Sequence, residues 1–193
     1  TRLGCDWSSD VCSSDLGFAT ALEGMGLKLP LAVRAEGCWV DHCAAVASRL
    51  VVPLGALVAE GYLEQATACA RKRDLPIEWE LRARLEEVAE LVDRALAASQ
   101  RGGVENPMIS LDAELPVHAT RIAVARLRHR GAADVPVVLR YRRDASHSEP
   151  ETLLRAGIDL GALLCDGIGD VVSLAGFDAP ERALALAYRV LQG

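Results

Sequence analysis

The sequence lacks the features that mark several functional classes. It has no basic excess, since 21 Lys and Arg stand against 27 Asp and Glu, giving a formal net charge of −6. A basic surface is the electrostatic footprint of nucleic-acid binding, so a nucleic-acid partner is not expected. No apolar run approaches the ~20 residues that a membrane-spanning helix needs. The composition therefore indicates a cytoplasmic protein that contacts neither nucleic acid nor membrane.

The common catalytic and nucleotide-binding motifs are also missing. The chain contains no G-x-G-x-x-G, no P-loop and no G-x-S-x-G nucleophile elbow. His118, His129 and His147 have no Cys or Ser nucleophile at a recognisable spacing, so a catalytic triad is not supported. Any function must therefore be read from weaker patterns.

Cysteine usage favours reduced thiols over a disulfide framework. Of six cysteines, the four beyond residue 16 are irregularly spaced: Cys38, Cys43, Cys69 and Cys165. A metal site is the alternative, because Cys38 and His42 would lie on the same face of a helix, with Cys43 beside them. Structural zinc usually takes four ligands in paired clusters, so buried apolar cysteines are favoured and no metal is expected.

The first sixteen residues have the sequence of a laboratory reagent. The codons implied by residues 6–16 match a common short-read sequencing adapter without a mismatch. We therefore expect residues 1–16 to be an adapter artefact, and residues 17–193 to be a single α/β domain fragment from inside a longer protein. Without the arginine and three aspartates of residues 1–16, the net charge becomes about −4.

Short apolar runs alternate with segments of helical period along the rest of the chain. The patterns predict strands over residues 29–35, 51–58, 75–79, 108–111, 135–141 and 171–174. They predict helices over 41–50, 62–73, from 80 to a stop at 102, and over 118–130, 148–165 and 180–191. The last but one of these helices has a local start signal, because Ser148 and Glu151 have capping-box spacing with Pro150 in the first turn.

Such alternation implies parallel strands joined by crossover helices. The predicted fold class is α/β, as a partial (β/α) barrel with parallel strands. An open doubly wound sheet is the alternative, because alternation alone does not separate the two.

Arg140, Arg142 and Arg143 lie at the predicted end of the strand over 135–141. Barrel enzymes place ligand-binding loops at this position, and arginine forks bind diphosphates, so these three are candidate substrate-binding residues. A solvated charged surface is the alternative, since Asp144 and Glu149 follow closely.

The sequence Asp166-Gly167-Ile168-Gly169-Asp170 is the other conspicuous feature. Its glycines would expose backbone N–H groups to a phosphate, but the flanking aspartates oppose an anion. A helix C-cap followed by a tight turn is the favoured interpretation.

A family resemblance enters over residues 155–170, RAGIDLGALLCDGIGD. This stretch resembles (K/R)-(S/A)-A-I-G-L-G-x-L-L-x-(D/E)-G-I-G-D of the 4-hydroxy-3-methylbut-2-enyl diphosphate synthase family, and the likeness continues through residues 178–192. Family-motif positions, expected to be structural, are held by Gly161, Asp166, Gly167, Gly169 and Asp170. Residues 17–108 show only a compatible rhythm of strands and helices.

The resemblance implies an iron–sulfur oxidoreductase of isoprenoid biosynthesis. In that family a barrel domain holds the cyclic diphosphate substrate, and a C-terminal domain binds a 4Fe-4S cluster through three cysteines and a glutamate. Ferredoxin or flavodoxin supplies the electrons, and the enzyme is expected to be a homodimer. The cluster ligands would lie beyond Gly193, so no cofactor, catalytic residue or metal ligand is assigned to this chain.

Two departures bear on which part of the enzyme the chain resembles. The family's catalytic barrel has a T-E-A-G motif where this chain has Asp144-Ala145, and R-V-S where it has Val171-Val172-Ser173. Enlarged family members carry an inserted, non-catalytic, barrel-like domain, and the chain resembles its later part. The fragment alone is therefore expected to be inactive. The alternatives are a non-catalytic binding or scaffold module, or another barrel enzyme with a phosphorylated substrate, similar to dihydropteroate synthase.

Overall fold

The structure, a computed structural model, describes residues 32–34, 47–178 and 180–192. The six strands are β1 Ala32–Arg34, β2 Arg49–Leu54, β3 Ile77–Arg82, β4 Pro107–Asp112, β5 Val137–Arg142 and β6 Val171–Ala175. The helices are α1 Glu60–Arg73, α2 Val88–Gly102, α3 Pro116–His129, α4 Glu149–Cys165 and α5 Pro180–Gln192, with a 3-10 turn at Leu85–Glu87. Residues 1–16, Cys38, His42 and Cys43 lie outside the described residues.

The strands follow one another in the sheet in the order β1-β2-β3-β4-β5-β6. The pairs β1·β2, β4·β5 and β5·β6 are parallel. A doubly wound sheet reverses its strand order at a switch point, and this sequential order has none. The predicted α/β class with parallel strands and crossover helices is confirmed. The sheet is not closed, because no pairing joins β1 to β6 among the described strands.

The chain divides into two compact units, residues 1–80 with 93–108, and residues 81–92 with 109–193. In the described part of the first unit, β2 is buried from Leu50 to Leu54. Near-continuous apolar runs of this kind are typical of strands covered on both faces. Trp79 on β3 is fully buried, and its indole N–H donates to Ser99 Oγ of α2 at 2.8 Å. This bond satisfies the one polar atom of the side chain.

In the second unit, α4 bridges β5 and β6 as predicted. The capping box is present: Ser148 Oγ accepts from the Glu151 N–H at 3.5 Å, and Glu151 Oε2 accepts from the Ser148 N–H at 2.9 Å. Further along the first turn, the Tyr141 hydroxyl donates to the Thr152 carbonyl at 3.2 Å, which fixes α4 against β5. The helix predicted from the local signal thus lies over the strand pair it was expected to connect.

Several predicted boundaries are wrong, and the strand predicted over 51–58 ends at Leu54. Arg49 and Leu50, assigned to the end of a helix over 41–50, belong to β2, and residues 41–46 lie outside the described residues. The helix predicted from Glu80 begins only at Val88, because β3 continues to Arg82 and a 3-10 turn follows. Leu81 has helical spacing to later apolar residues, yet it alternates as a strand residue in IEWELR.

Candidate functional site

In parallel α/β proteins, ligands bind at the carboxyl ends of the strands, and in the second unit this edge is rich in arginine. Arg82 ends β3, and Arg142 ends β5 on the same strand face as Arg140. Arg82 Nε lies 3.8 Å from Asp112 Oδ2 at the end of β4. Arg140 Nε donates to Ser110 Oγ at 3.1 Å. We refer to Arg82, Arg140 and Arg142 as the strand-end arginines.

Arg143, grouped with Arg140 and Arg142 from the sequence, has different surroundings. Its backbone N–H donates to the carbonyl of Ala175, the last residue of β6, at 2.9 Å. Its guanidinium lies 5.9 Å from the centre of the Phe177 ring and 3.4 Å from the His147 carbonyl oxygen. Arg82 was not predicted as a site residue from the sequence, because the pattern at the end of β3 also fits a helix.

The glycine-rich loop at 166–170 has few backbone donors to offer a phosphate. Four of its five backbone N–H groups already donate to carbonyl oxygens at 2.9–3.0 Å. The N–H groups of Asp166 and Ile168 both donate to the Leu163 carbonyl. That of Gly167 donates to the Leu164 carbonyl, and that of Asp170 to the Val137 carbonyl. A phosphate site made of backbone N–H groups needs those groups free to point at the ligand. The loop geometry is therefore that of a helix end and a turn into β6.

The side chains of the same loop hold neighbouring elements in place. Asp166 Oδ2 accepts from Arg121 of α3 at 2.7 Å. Asp170 Oδ2 accepts from the Val137 N–H at the start of β5 at 2.8 Å. At Gly169 the backbone φ is +115°, and a Cβ would lie 2.5 Å from Leu139. Gly161, in contrast, has open space at its Cβ position, so packing within the described residues does not require it.

Asp144 occupies the position where the resembling family has its Glu motif. Its Oδ1 accepts from Ser146 Oγ at 2.7 Å and from the Ser146 N–H at 2.8 Å. The side-chain hydrogen bond, and then the backbone one, hold the pKa of this carboxyl below its ordinary value. Asp144 therefore remains ionised at neutral pH, which suits a turn and not a general acid.

In the first unit, the alternation of β3 places Glu78 and Glu80 on one face of the strand. Both are fully buried, at 0% and 1% exposure. Arg49 Nε lies 3.1 Å from Glu78 Oε2, and Arg34 forms an ion pair with Glu80. Buried charges are tolerated when paired, so these contacts join β3 to arginines of β1 and β2. The sequence does carry a signal for these buried glutamates, because they alternate with the apolar residues Ile77, Trp79 and Leu81 as in a strand. The prediction of a helix from Glu80 hid this alternation.

Within the part of the chain that the structure describes, no group of three or more His, Cys, Asp or Glu is placed to hold a metal ion. None of the described helices is long and apolar enough to cross a membrane. Fold and site together define a parallel α/β protein whose strand edge carries arginine in its second unit.

Comparison with known proteins links this α/β chain to one enzyme name. No protein-family model matches. The chain is 32% identical over 105 residues, 54% of its length, to 4-hydroxy-3-methylbut-2-en-1-yl diphosphate synthase (flavodoxin) of Chlorobaculum tepidum. It is 36% identical over 77 residues, 40% of its length, to the enzyme of the same name from Akkermansia muciniphila. These matches span only 14% and 13% of the two relatives.

Among solved structures, a 2,3-dimethylmalate lyase of the PEP mutase/isocitrate lyase superfamily is similar over 90% of this chain and 77% of its own. The identity is 14% and the TM-score 0.42. A likeness at this level bears on neither the fold nor the function, so the assignment of the fold class depends on the strand order and pairing described above.

Proposed function

We propose that this chain is part of a 4-hydroxy-3-methylbut-2-en-1-yl diphosphate synthase. The observation that carries the proposal is the 32% identity over 105 residues to the Chlorobaculum enzyme. The DGIGD loop and the helix before it are consistent with the proposal, because the motif residues resemble those of the family and the loop is built into the fold. The parallel strand order is compatible with a barrel-like domain.

The whole protein would be a cytoplasmic iron–sulfur oxidoreductase of isoprenoid biosynthesis, converting 2-C-methyl-D-erythritol 2,4-cyclodiphosphate to hydroxymethylbutenyl diphosphate. Flavodoxin or ferredoxin would supply electrons to a 4Fe-4S cluster, and the enzyme would act as a homodimer. The cluster ligands would lie outside this chain. Flavodoxin is the donor printed in the names of both relatives.

Within that enzyme, we assign this segment a structural role as the later part of the inserted barrel-like domain. Asp144 forms a turn where the catalytic barrel has its glutamate. Val171, Val172 and Ser173 are residues of β6 where the catalytic barrel has its phosphate-binding R-V-S element. The loop before β6 donates four of its N–H groups internally. These features support a spacing function over a catalytic one.

Sequencing the gene beyond Gly193 tests the family assignment. The expected result is a cysteine motif of the C-P-x-C-G type, followed by further cluster ligands. A stop codon, or a sequence unrelated to a cluster domain, would overturn the proposal.

Titration calorimetry with 2-C-methyl-D-erythritol 2,4-cyclodiphosphate tests the structural role. Replacing Arg140 and Arg142 with Gln should leave any affinity unchanged within error, and so should the control Arg128→Gln on α3. A tenfold weakening confined to the double variant, equal to about 1.4 kcal/mol, would show that the strand-end arginines bind substrate. That outcome would overturn the structural role assigned to this segment.

A further inference from the structure

A cavity of about 270 Å³ lies in the second unit, and none of the strand-end arginines lines it. Its walls come from Arg143 after β5, the first turns of α4, Phe177 after β6, and one side of α5. The residues that matter for its chemistry are Arg143, Leu153, Phe177, Arg182, Leu186 and Arg189. We refer to this space as the arginine cavity.

Three arginines and two glutamates line the arginine cavity, and the ion pairs they form differ. Arg182 is bound by Asp178 at 3.2 Å, one turn earlier. No described carboxylate lies within ion-pair distance of Arg143 or Arg189. Glu149 and Glu181 also line the cavity, and each stands in the first turn of its own helix, where it interacts favourably with the positive helix end. Neither glutamate forms an ion pair with Arg143 or Arg189 within the described residues.

Apart from Thr152, the remaining lining is apolar. Leu186 is 7% exposed, and Leu153 and Phe177 are half-buried. Small-molecule sites combine such a lining with a few placed polar groups, and this volume suits a ligand at the small end of that class. Arginine in turn binds phosphate and carboxylate through a fork of N–H donors.

The loops that carry Arg143 and Phe177 are held together by their backbones. The Arg143 N–H donates to the Ala175 carbonyl at 2.9 Å. The next residue, Gly176, has a φ of +80°, and a Cβ there would lie 2.6 Å from the Arg143 carbonyl oxygen. Glycine permits this close approach, so the backbone segments that carry the guanidinium and the aromatic ring are held together without a ligand.

From this arrangement we infer that the arginine cavity binds a small organic anion. Arg143 and Arg189 hold its phosphate or carboxylate group, and its apolar part packs against Phe177 and Leu186. The inference does not rest on the proposed function, because it uses neither the strand-end arginines nor the family motif.

An NMR titration of the ¹⁵N-labelled chain with phenyl phosphate and with benzoate tests the inference. At least one of the two should give saturable shifts at Gly176, Phe177 and Leu186. Inorganic phosphate and benzyl alcohol, which each carry half of the ligand chemistry, should bind about tenfold more weakly. Shifts confined to other residues, or no saturable binding of either anion, would overturn the inference.

Variants separate a specific site from general attraction to a charged surface. Arg189→Gln, an exposed position that leaves folding intact, should weaken binding about tenfold, as expected for a charge-assisted hydrogen bond. Arg143→Gln should do the same, while the control Arg128→Gln should change nothing. Glu181→Gln should leave the affinity equal or tighter. Equal affinity in the Arg189 variant and the Arg128 control would contradict the assignment.

Discussion

Gly169→Ala tests whether the DGIGD loop is required by the fold, and the structure sets the expected magnitude. At a φ of +115°, an L-residue is strained by about 1–3 kcal/mol. The new Cβ would also lie 2.5 Å from Leu139 Cδ1 and 2.6 Å from Leu139 Cγ. Leu139 is 2% exposed, so it has little room to move, and overpacking adds about 1–3 kcal/mol. We expect a loss of roughly 2–6 kcal/mol in the free energy of unfolding.

Gly161→Ala is the matched control in the same motif. Gly161 lies inside α4, and its Cβ position is open. Alanine at a helix interior is favoured over glycine by about 0.5–1 kcal/mol, so this variant should be slightly more stable. The two substitutions are chemically identical and are expected to have opposite signs.

Urea denaturation followed by far-UV circular dichroism measures both variants, with stability taken from the midpoint at an unchanged m-value. A loss below about 1 kcal/mol for Gly169→Ala would refute the argument from strain and contact. A destabilised Gly161→Ala would show that this glycine is packed against something outside the described residues.

Three further outcomes are expected. Ser148→Ala should cost about 1 kcal/mol, measured by urea denaturation, because the capping box is lost, and Ser148→Asp should recover most of it. Hydrogen bonds from Ser148, the side-chain bond first and the backbone bond second, hold the pKa of Glu151 below its ordinary value of 4.5. The stabilisation of the fold by ionised Glu151 is therefore present above pH 4.5 and is lost as the pH falls through the folded-state pKa. The free energy of unfolding of Glu151→Gln, measured by urea denaturation across this pH range, should accordingly fall less steeply in acid. Anaerobic reconstitution with iron and sulfide should leave the chain without cluster absorbance, because a 4Fe-4S cluster needs converging ligands; stoichiometric iron uptake above a Cys165→Ser control would contradict this.

Several elements could be predicted because their causes are local. The start of α4 is fixed by Ser148 and Glu151, whose side chains each accept a hydrogen bond from the other's backbone N–H, and by Pro150, which has no N–H to satisfy. The strand class of β5 and β6 follows from short β-branched runs. The parallel pairing of β5 with β6 could be predicted as well, because successive strands joined by a crossover helix usually lie side by side and parallel.

The boundary between β3 and α2 was harder to predict, because a helical and a strand periodicity overlap there. Leu81 has helical spacing to Leu85, Val88 and Val92, and it also alternates with Glu80 and Arg82 as a strand residue. Local spacing cannot separate these interpretations. Pairing within the sheet decided between them, and it extended β3 to Arg82.

The sequence by itself determined the alternation of strands and helices, the capped start of α4 and the residues of the DGIGD motif, since these depend on neighbours a few positions away. Only the tertiary structure decided the buried pairing of Arg34 with Glu80, the reciprocal bonds between Asp170 and Val137, and the separation of Arg143 from Arg140. Each joins residues far apart in the chain or depends on which way a strand face points. Such contacts form only when the strands have paired in the sheet, because pairing brings together residues that are distant in the chain.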